Sequence, residues 1–170
     1  MFFLIGFYNY TVWLTFIGML SSVVGMGFAV QGKIIAAVIC LMFSGFCDMF
    51  DGIVARTKKD RTDEEKRFGI QIDSLNDVVC FGVLPGVIGA SLGGGEWWLR
   101  ASVLFYILAA LIRLAYFNVT EEERQSATNE HRHYYLGVPV TAASFVMPLF
   151  WALPLRLGSA LAVIYAVGLT

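Results

Sequence analysis

The run Asp48-Met49-Phe50-Asp51-Gly52-Ile53-Val54-Ala55-Arg56, followed after a charged loop by Gly69-Ile70-Gln71-Ile72-Asp73-Ser74-Leu75-Asn76-Asp77, decides how the chain is read. It sets four carboxylates into two otherwise apolar stretches. The first pair is spaced i, i+3 and the second i, i+4, so each pair occupies one face of a helix. A carboxylate at the centre of a membrane helix costs about 2.5–3.5 kcal/mol on insertion scales. Four of them call for a purpose.

The surrounding composition supports a membrane setting. Of 170 residues, 58% are hydrophobic and 15% charged, with a mean hydropathy of +0.69. An ordinary soluble domain carries about 25% charged residues. A soluble domain of this size buries only about 70% of its unfolded surface and could not hide this much apolar area. A soluble enzyme, a disordered tail and a nucleic-acid module are thereby excluded. The net charge of −1 offers no global basic patch, so no nucleic-acid partner is expected. Cys40, Cys47 and Cys80 lie in apolar runs without CxxC spacing and read as small buried hydrophobes. No Lys or Arg precedes Lys33, so the first apolar run is expected to stay as a helix rather than be cleaved as a signal.

Spanning helices need about 20 apolar residues. The candidates are Val12–Val30, Ile34–Arg56, Phe68–Leu92, Trp97–Asn118, Tyr135–Pro154 and the short Leu157–Thr170. The expected fold is an all-α, polytopic membrane helical bundle of about six transmembrane helices, with residues 1–170 as one domain. Arg56, Lys58, Lys59, Arg61, Lys66 and Arg67 crowd the connection between the second and third spans, and Arg124 and Arg132 the next connection on that side. The positive-inside rule puts both in the cytoplasm, with both termini there if all the spans cross. Trp97, Trp98 and Trp151 fall near span ends on the far side, where interfacial aromatics belong.

Spans two and three are antiparallel neighbours, so their aspartates can converge at one depth near the cytoplasmic interface. Carboxylates this close repel; either some protonate or cations neutralise them. Hard oxygen ligands suit Mg²⁺, Mn²⁺ or Ca²⁺ rather than zinc, and two divalent ions would balance the charge. Such a pair is a common clamp on a phosphoryl group. Salt bridges to Arg56 and Arg113 are the structural alternative, but two arginines cannot neutralise four aspartates. Gly52 and Ala55 remove bulk beside the first pair, Gly69 clears the face of Asp73, and Arg56 carries a fork that can take a phosphate. Intramembrane carboxylates also mark ion paths, so a cation transporter or proton relay is the rival class. A transport site is expected nearer the midplane.

The pattern resembles the CDP-alcohol phosphatidyltransferase family, whose signature is D-x2-D-G-x2-A-R, a loop, then G-x3-D-x3-D. All eight fixed positions are present as Asp48, Asp51, Gly52, Ala55, Arg56, Gly69, Asp73 and Asp77. The twelve residues between Arg56 and Gly69 are a few more than the family's usual loop. The resemblance implies that Asp48, Asp51 and Asp73 ligate divalent cations, Mg²⁺ or Mn²⁺. Asp77 completes the site and acts as general base. It further implies that Gly52, Ala55, Arg56 and Gly69 line the donor, CDP-diacylglycerol. Polar residues at the start of span one (Asn9, Thr11 and Thr15 here) contact that donor in the family, although helix capping explains them as well. The acceptor hydroxyl would attack the phosphorus bearing the diacylglycerol, and CMP would leave. A homodimer in the plasma membrane of a prokaryote, with the site at the cytoplasmic interface, is the implied setting.

Further runs bear on the acceptor. Arg113-Leu-Ala-Tyr116-Phe-Asn118, Phe81-Gly-Val-Leu-Pro85 and Gly137-Val-Pro139, with Ser74 and Asn76, resemble the serine-accepting branch. Tyr116 stands where that branch has a second Arg. L-serine is favoured over glycerol 3-phosphate or inositol phosphate, because a phosphorylated acceptor wants several convergent cations. Arg113 is then a partner for the acceptor carboxylate or an ion-pair partner of the aspartates. His131 and His133 read as solvated loop, and Glu121-Glu122-Glu123 as a solvated turn. Gly82 and Gly86 have small-xxx-small spacing, suited to helix packing or a dimer face.

Overall fold

A computed structural model describes residues 10–58, 60, 62–93, 96–127 and 140–152, except for the side chains of residues 11, 56, 121–127 and 150–152. The chain runs α1 (Tyr10–Val30), α2 (Ile34–Thr57), α3 (Asp63–Asp77), a π-helical turn (Val78–Val83), α4 (Leu84–Leu92), α5 (Trp97–Ala127), a 3₁₀ turn (Val140–Ala142) and α6 (Ala143–Ala152). Among the described residues, four helices are long and apolar enough to cross a membrane: Val12–Val30, Ile34–Ala55, Asp63–Leu92 and Trp97–Thr120. The protein is an all-α, multi-pass membrane bundle. The fifth expected span is represented by the shorter apolar stretch Val140–Leu149, and the sixth, Leu157–Thr170, lies outside the described residues.

The sharp turn between α1 and α2 follows from Gly32, whose φ of +75° is the left-handed conformation a side chain disfavours. Gly32 N–H bonds to Ala29 O at 2.9 Å and Lys33 N–H to Phe28 O at 2.9 Å. This Schellman pattern satisfies the last carbonyls of α1 and reverses the chain within three residues. Antiparallel contact then runs along a small-residue stripe on each helix. Thr15, Gly18, Ser22 and Gly25 of α1 face Asp51, Cys47, Ser44 and Cys40 of α2.

The third span starts five residues earlier than the apolar run suggested. Thr62 and Glu65 form a capping box: Glu65 N–H donates to Thr62 Oγ1 at 3.2 Å, and Thr62 N–H to Glu65 Oε2 at 3.4 Å. Asp63, Glu64 and Glu65 place negative charge at the helix N-terminus, where the macrodipole favours it. Lys58 closes the loop by pairing with Glu65 at 3.1 Å. The Glu121–Glu123 run is not a turn: α5 continues through it to Ala127, because these residues are good helix formers outside the membrane.

The core gathers Ala29 of α1, Ala37, Val38 and Leu41 of α2, Cys80 and Phe81 of the π turn, Leu84 and Ile88 of α4, Ala110 of α5, and Val140 and Ala143. Cys47 and Cys80 are buried and unoxidised, as their apolar setting implied, while Cys40 is half-buried. The opposite faces expose large apolar side chains such as Leu20, Val30, Leu104 and Ile112, which suits lipid rather than water. Gly82 and Gly86 are used within the chain. A Cβ on Gly86 would meet Ile107 at 3.0 Å and Val103 at 3.2 Å, and one on Gly82 would meet Ala110 at 3.4 Å. Their stripe therefore seats α5 and is not a free dimer face.

Candidate metal centre

Three helices build the acidic site. α2 presents Asp48 and Asp51 on one face, and α3 presents Asp73 and Asp77. Each packs closely on α1, which forms the floor, whereas α2 and α3 approach each other little along their backbones. Their carboxyl groups bridge the gap, with Asp48 facing Asp77 and Asp51 facing Asp73. One oxygen each of Asp48, Asp73 and Asp77 lies within 4.8 Å of the others. All three residues are half-buried. Asp51 is deeper, at 7% exposure, and its Oδ2 accepts a hydrogen bond from Thr15 Oγ1 at 3.0 Å.

Asp73 Oδ1 and Asp77 Oδ1 are buried and make no hydrogen bond. A buried polar atom left without a partner costs about 1–3 kcal/mol, more when charged. Stranded carboxylate oxygens, crowded by like charge and open to one another, fit a cation whose ligands are all oxygen. Magnesium and manganese meet that description; a structural zinc site would want sulfur or imidazole. The residues present therefore fit the divalent cation the motif implies. Three carboxylates converge, and the fourth, Asp51, stands beside them with one oxygen taken by Thr15.

The remaining sequence candidates are distributed around this cluster. Gly52 is exposed, and a Cβ there would meet nothing within 4 Å, so open space lies beside the first carboxylate pair. Ala55 and Gly69 are half-buried on α2 and α3. The side chains of Thr11 and Arg56 are outside the described set, as are His131 and His133. Arg113 is half-buried on α5. Tyr116 is 66% exposed, whereas Asn118 on the same helix turns inward. Asn118 Nδ2 donates to Ser74 Oγ at 2.8 Å, which ties α5 to α3 beside Asp73.

Several contacts were not anticipated from sequence. Thr15 reaches Asp51, Cys80 Sγ donates to Asn76 Oδ1 at 3.3 Å, and Tyr106 Oη donates to Phe81 O at 2.6 Å. The first has a signal in the spacing of Thr15, Gly18 and Ser22, which share a stripe on α1. The last has one in Pro85, which removes the backbone donor that Phe81 would otherwise use.

The chain is similar to several curated proteins. A CDP-diacylglycerol–serine O-phosphatidyltransferase of Helicobacter pylori (strain ATCC 700392 / 26695) is 34% identical over 137 residues, covering 79% of this chain and 52% of that protein. The protein of the same name from Saccharomyces cerevisiae is 32% identical over 130 residues, 74% of this chain and 45% of its own. An archaetidylserine synthase of Methanothermobacter thermautotrophicus is 30% identical over 124 residues, 72% of this chain and 49% of its own. The chain thus spans about half the length of these relatives. The relatives named CDP-diacylglycerol–serine O-phosphatidyltransferase include bacterial and yeast proteins. The family model for CDP-alcohol phosphatidyltransferases matches residues 8–170, nearly the whole chain and all eight motif positions, and the chain belongs to that family.

Proposed function

We propose that this chain moves the phosphatidyl group of CDP-diacylglycerol to L-serine, releasing CMP and forming phosphatidylserine. The observation that carries the reading is the convergence of Asp48, Asp73 and Asp77, with two buried carboxylate oxygens lacking any hydrogen bond. Asp48, Asp51, Asp73 and Asp77 would hold the divalent cations, Mg²⁺ or Mn²⁺ and two in number. When bound, such ions supply charge neutralisation to the donor diphosphate and to the departing CMP.

The residues of the chain do the rest. Gly52 leaves room for the CMP part of the donor, with Ala55, Gly69 and Arg56 along the same wall and Thr11 and Thr15 on the α1 side. The serine hydroxyl approaches the phosphorus that carries the diacylglycerol, and its proton passes to Asp77. The new P–O bond forms as the bond from that phosphorus to the CMP oxygen breaks. Arg113 receives the serine carboxylate. The apolar faces of the bundle leave the acyl chains in the bilayer, so only the headgroup end of the donor enters the polar site. The site lies at the cytoplasmic interface of a prokaryotic plasma membrane, and the protein works as a homodimer.

The names of the relatives support serine, and so does the scarcity of basic side chains for a phosphorylated acceptor. The test is CMP release by purified protein given CDP-diacylglycerol, Mn²⁺ or Mg²⁺, and a panel of serine, glycerol 3-phosphate and inositol phosphate. Release with serine alone is expected. Release with a phosphorylated acceptor instead would overturn the acceptor. Uptake of the cation into vesicles without CMP release would turn the reading to transport. Chelation should stop release, and added Mn²⁺ or Mg²⁺ should restore it.

A further inference from the structure

The π-helical turn Val78–Val83 begins at the residue after Asp77 and joins α3 to α4 without a break. In an uninterrupted α-helix the Phe81 carbonyl would accept from the N–H four residues on. That residue is Pro85, which has no N–H and whose ring crowds the same carbonyl. The turn widens in response: Leu84 N–H reaches back five residues to Val79 O. The Phe81 carbonyl is met from outside its own helix by the hydroxyl of Tyr106, at 2.6 Å, and Tyr106 is 4% exposed.

The widened turn has a geometric consequence. Each helical residue advances the facing by roughly 100°, so one extra residue offsets the two ends of the rod by about that angle. On one side of the turn Asp73 and Asp77 face Asp51 and Asp48. On the other, Gly86 faces Ile107 and Val103 of α5. An unwidened rod could not keep both facings. Gly82 and Gly86 let α5 come close enough for Tyr106, one turn before Ala110, to reach the carbonyl.

We propose that Tyr106 is a positioning residue of the acidic centre: its hydrogen bond to the Phe81 carbonyl holds the π-helical turn that aims Asp73 and Asp77 at Asp48. The inference rests on the reading of these aspartates as a divalent-metal centre. Its hydroxyl donates to the Phe81 carbonyl and not to an aspartate, so it acts through the backbone of the rod.

The experiment measures Mn²⁺ binding to the detergent-purified chain, from the loss of the free-ion paramagnetic signal, alongside thermal melting. Tyr106→Phe keeps the ring and loses only the hydroxyl. It should weaken Mn²⁺ binding by about tenfold, in the range usual for groups that orient metal ligands. Pro85→Ala restores a backbone donor to Phe81 and removes the reason for the wide turn. It should also weaken Mn²⁺ binding with Tyr106 intact. In the Pro85→Ala background, Tyr106→Phe should change binding less than about twofold, because the carbonyl already has a donor. Tyr106→Phe protein that melts lower but binds Mn²⁺ as the parent does would overturn the inference, as would equal losses in both backgrounds. Parent protein that binds no Mn²⁺ would instead overturn the metal reading beneath it.

Discussion

The hairpin of α1 and α2 and the hairpin of α4 and α5 both close over glycines, yet different chemistry faces those glycines. Along α1 and α2 the partners are hydroxyls, thiols and a carboxylate. Thr15 donates to Asp51, Ser22 Oγ to Ser44 Oγ at 2.9 Å, Ser44 Oγ to Gly18 O at 3.0 Å, and Ser21 Oγ to Cys40 O at 3.1 Å. Along α4 and α5 the partners are Val103, Ile107 and Ala110, which offer only shape. Inside a bilayer the side-chain hydrogen bonds are worth about 0.6 kcal/mol on average, so the polar seam is not chosen for strength. It runs into the acidic centre and orients a carboxylate. The apolar seam sets a distance. Breaking the first should alter chemistry more than stability; breaking the second should cost stability first and reach the metal centre only through Tyr106.

The largest effect is expected where the polar seam ends. Asp77→Asn removes the proton acceptor while keeping size and shape. CMP release should fall by at least about 10²–10⁴-fold, the range of general-base help. Donor binding should survive, because Asp48, Asp51 and Asp73 remain, and a binding assay with CDP-diacylglycerol checks it. Full activity in Asp77→Asn would show that the base lies elsewhere. For the apolar seam the corresponding break is Gly86→Leu. Even a first carbon there meets Ile107 at 3.0 Å, so the rest of the side chain has no room. Overpacking of this kind costs about 1–3 kcal/mol. A lower melting temperature is expected, and because displacing α5 draws Tyr106 off the Phe81 carbonyl, the folded fraction should also need more Mn²⁺ for half-activation.

That asymmetry also separates what the sequence makes legible from what it does not. The four aspartates stand out because charge in an apolar run is costly, and their i, i+3 and i, i+4 spacing already fixes their faces. The four helices among the described residues that are long enough to cross a membrane follow from apolar length alone. Hydropathy marks the membrane and not the helix, so the apolar run starts after α3 does; the Thr62-x-x-Glu65 capping box carries the true start. For the same reason Glu121–Glu123 reads as a turn, although α5 runs through it. The π turn could not be read from periodicity, since residues 78–90 are apolar or glycine on every face and leave no polar stripe whose shift would show. Gly82 and Gly86 announced close packing but not its partner, because spacing carries no information about which helix arrives.

Thr15 tests the polar seam with one atom. Thr15→Val keeps the shape and leaves Asp51 Oδ2, in a residue 7% exposed, without its donor. Hydrogen bonds to charged groups are worth about 1.5–3 kcal/mol. Part of the loss should be recovered by turning that oxygen toward the cation the neighbouring aspartates would hold, so a fall of about tenfold in kcat/KM is expected, below the loss at Asp77. Thr15→Ser should restore most of it. If Thr15→Val lowers melting temperature but leaves turnover and Mn²⁺ dependence alone, the contact only packs α1 on α2.

The smallest effect is expected two turns deeper, at Ser22 and Ser44, which are 0% and 1% exposed. Ser22→Ala removes a donor from Ser44, but Ser44 keeps its own bond to the Gly18 carbonyl. Nothing is stranded, so the cost should be near the membrane average of about 0.6 kcal/mol. Ser44→Ala differs, because it takes the acceptor away from the buried Ser22 hydroxyl and a donor away from Gly18 O. A serine in a helix can turn back to the carbonyl of its preceding turn, which offsets part of that loss. The order should therefore be Ser44→Ala below Ser22→Ala below the parent in melting temperature. Mn²⁺ dependence should match the parent in both, because neither hydroxyl touches an aspartate. A shifted Mn²⁺ dependence in Ser22→Ala would mean that the seam acts on the metal centre along its whole length and not at Thr15 alone.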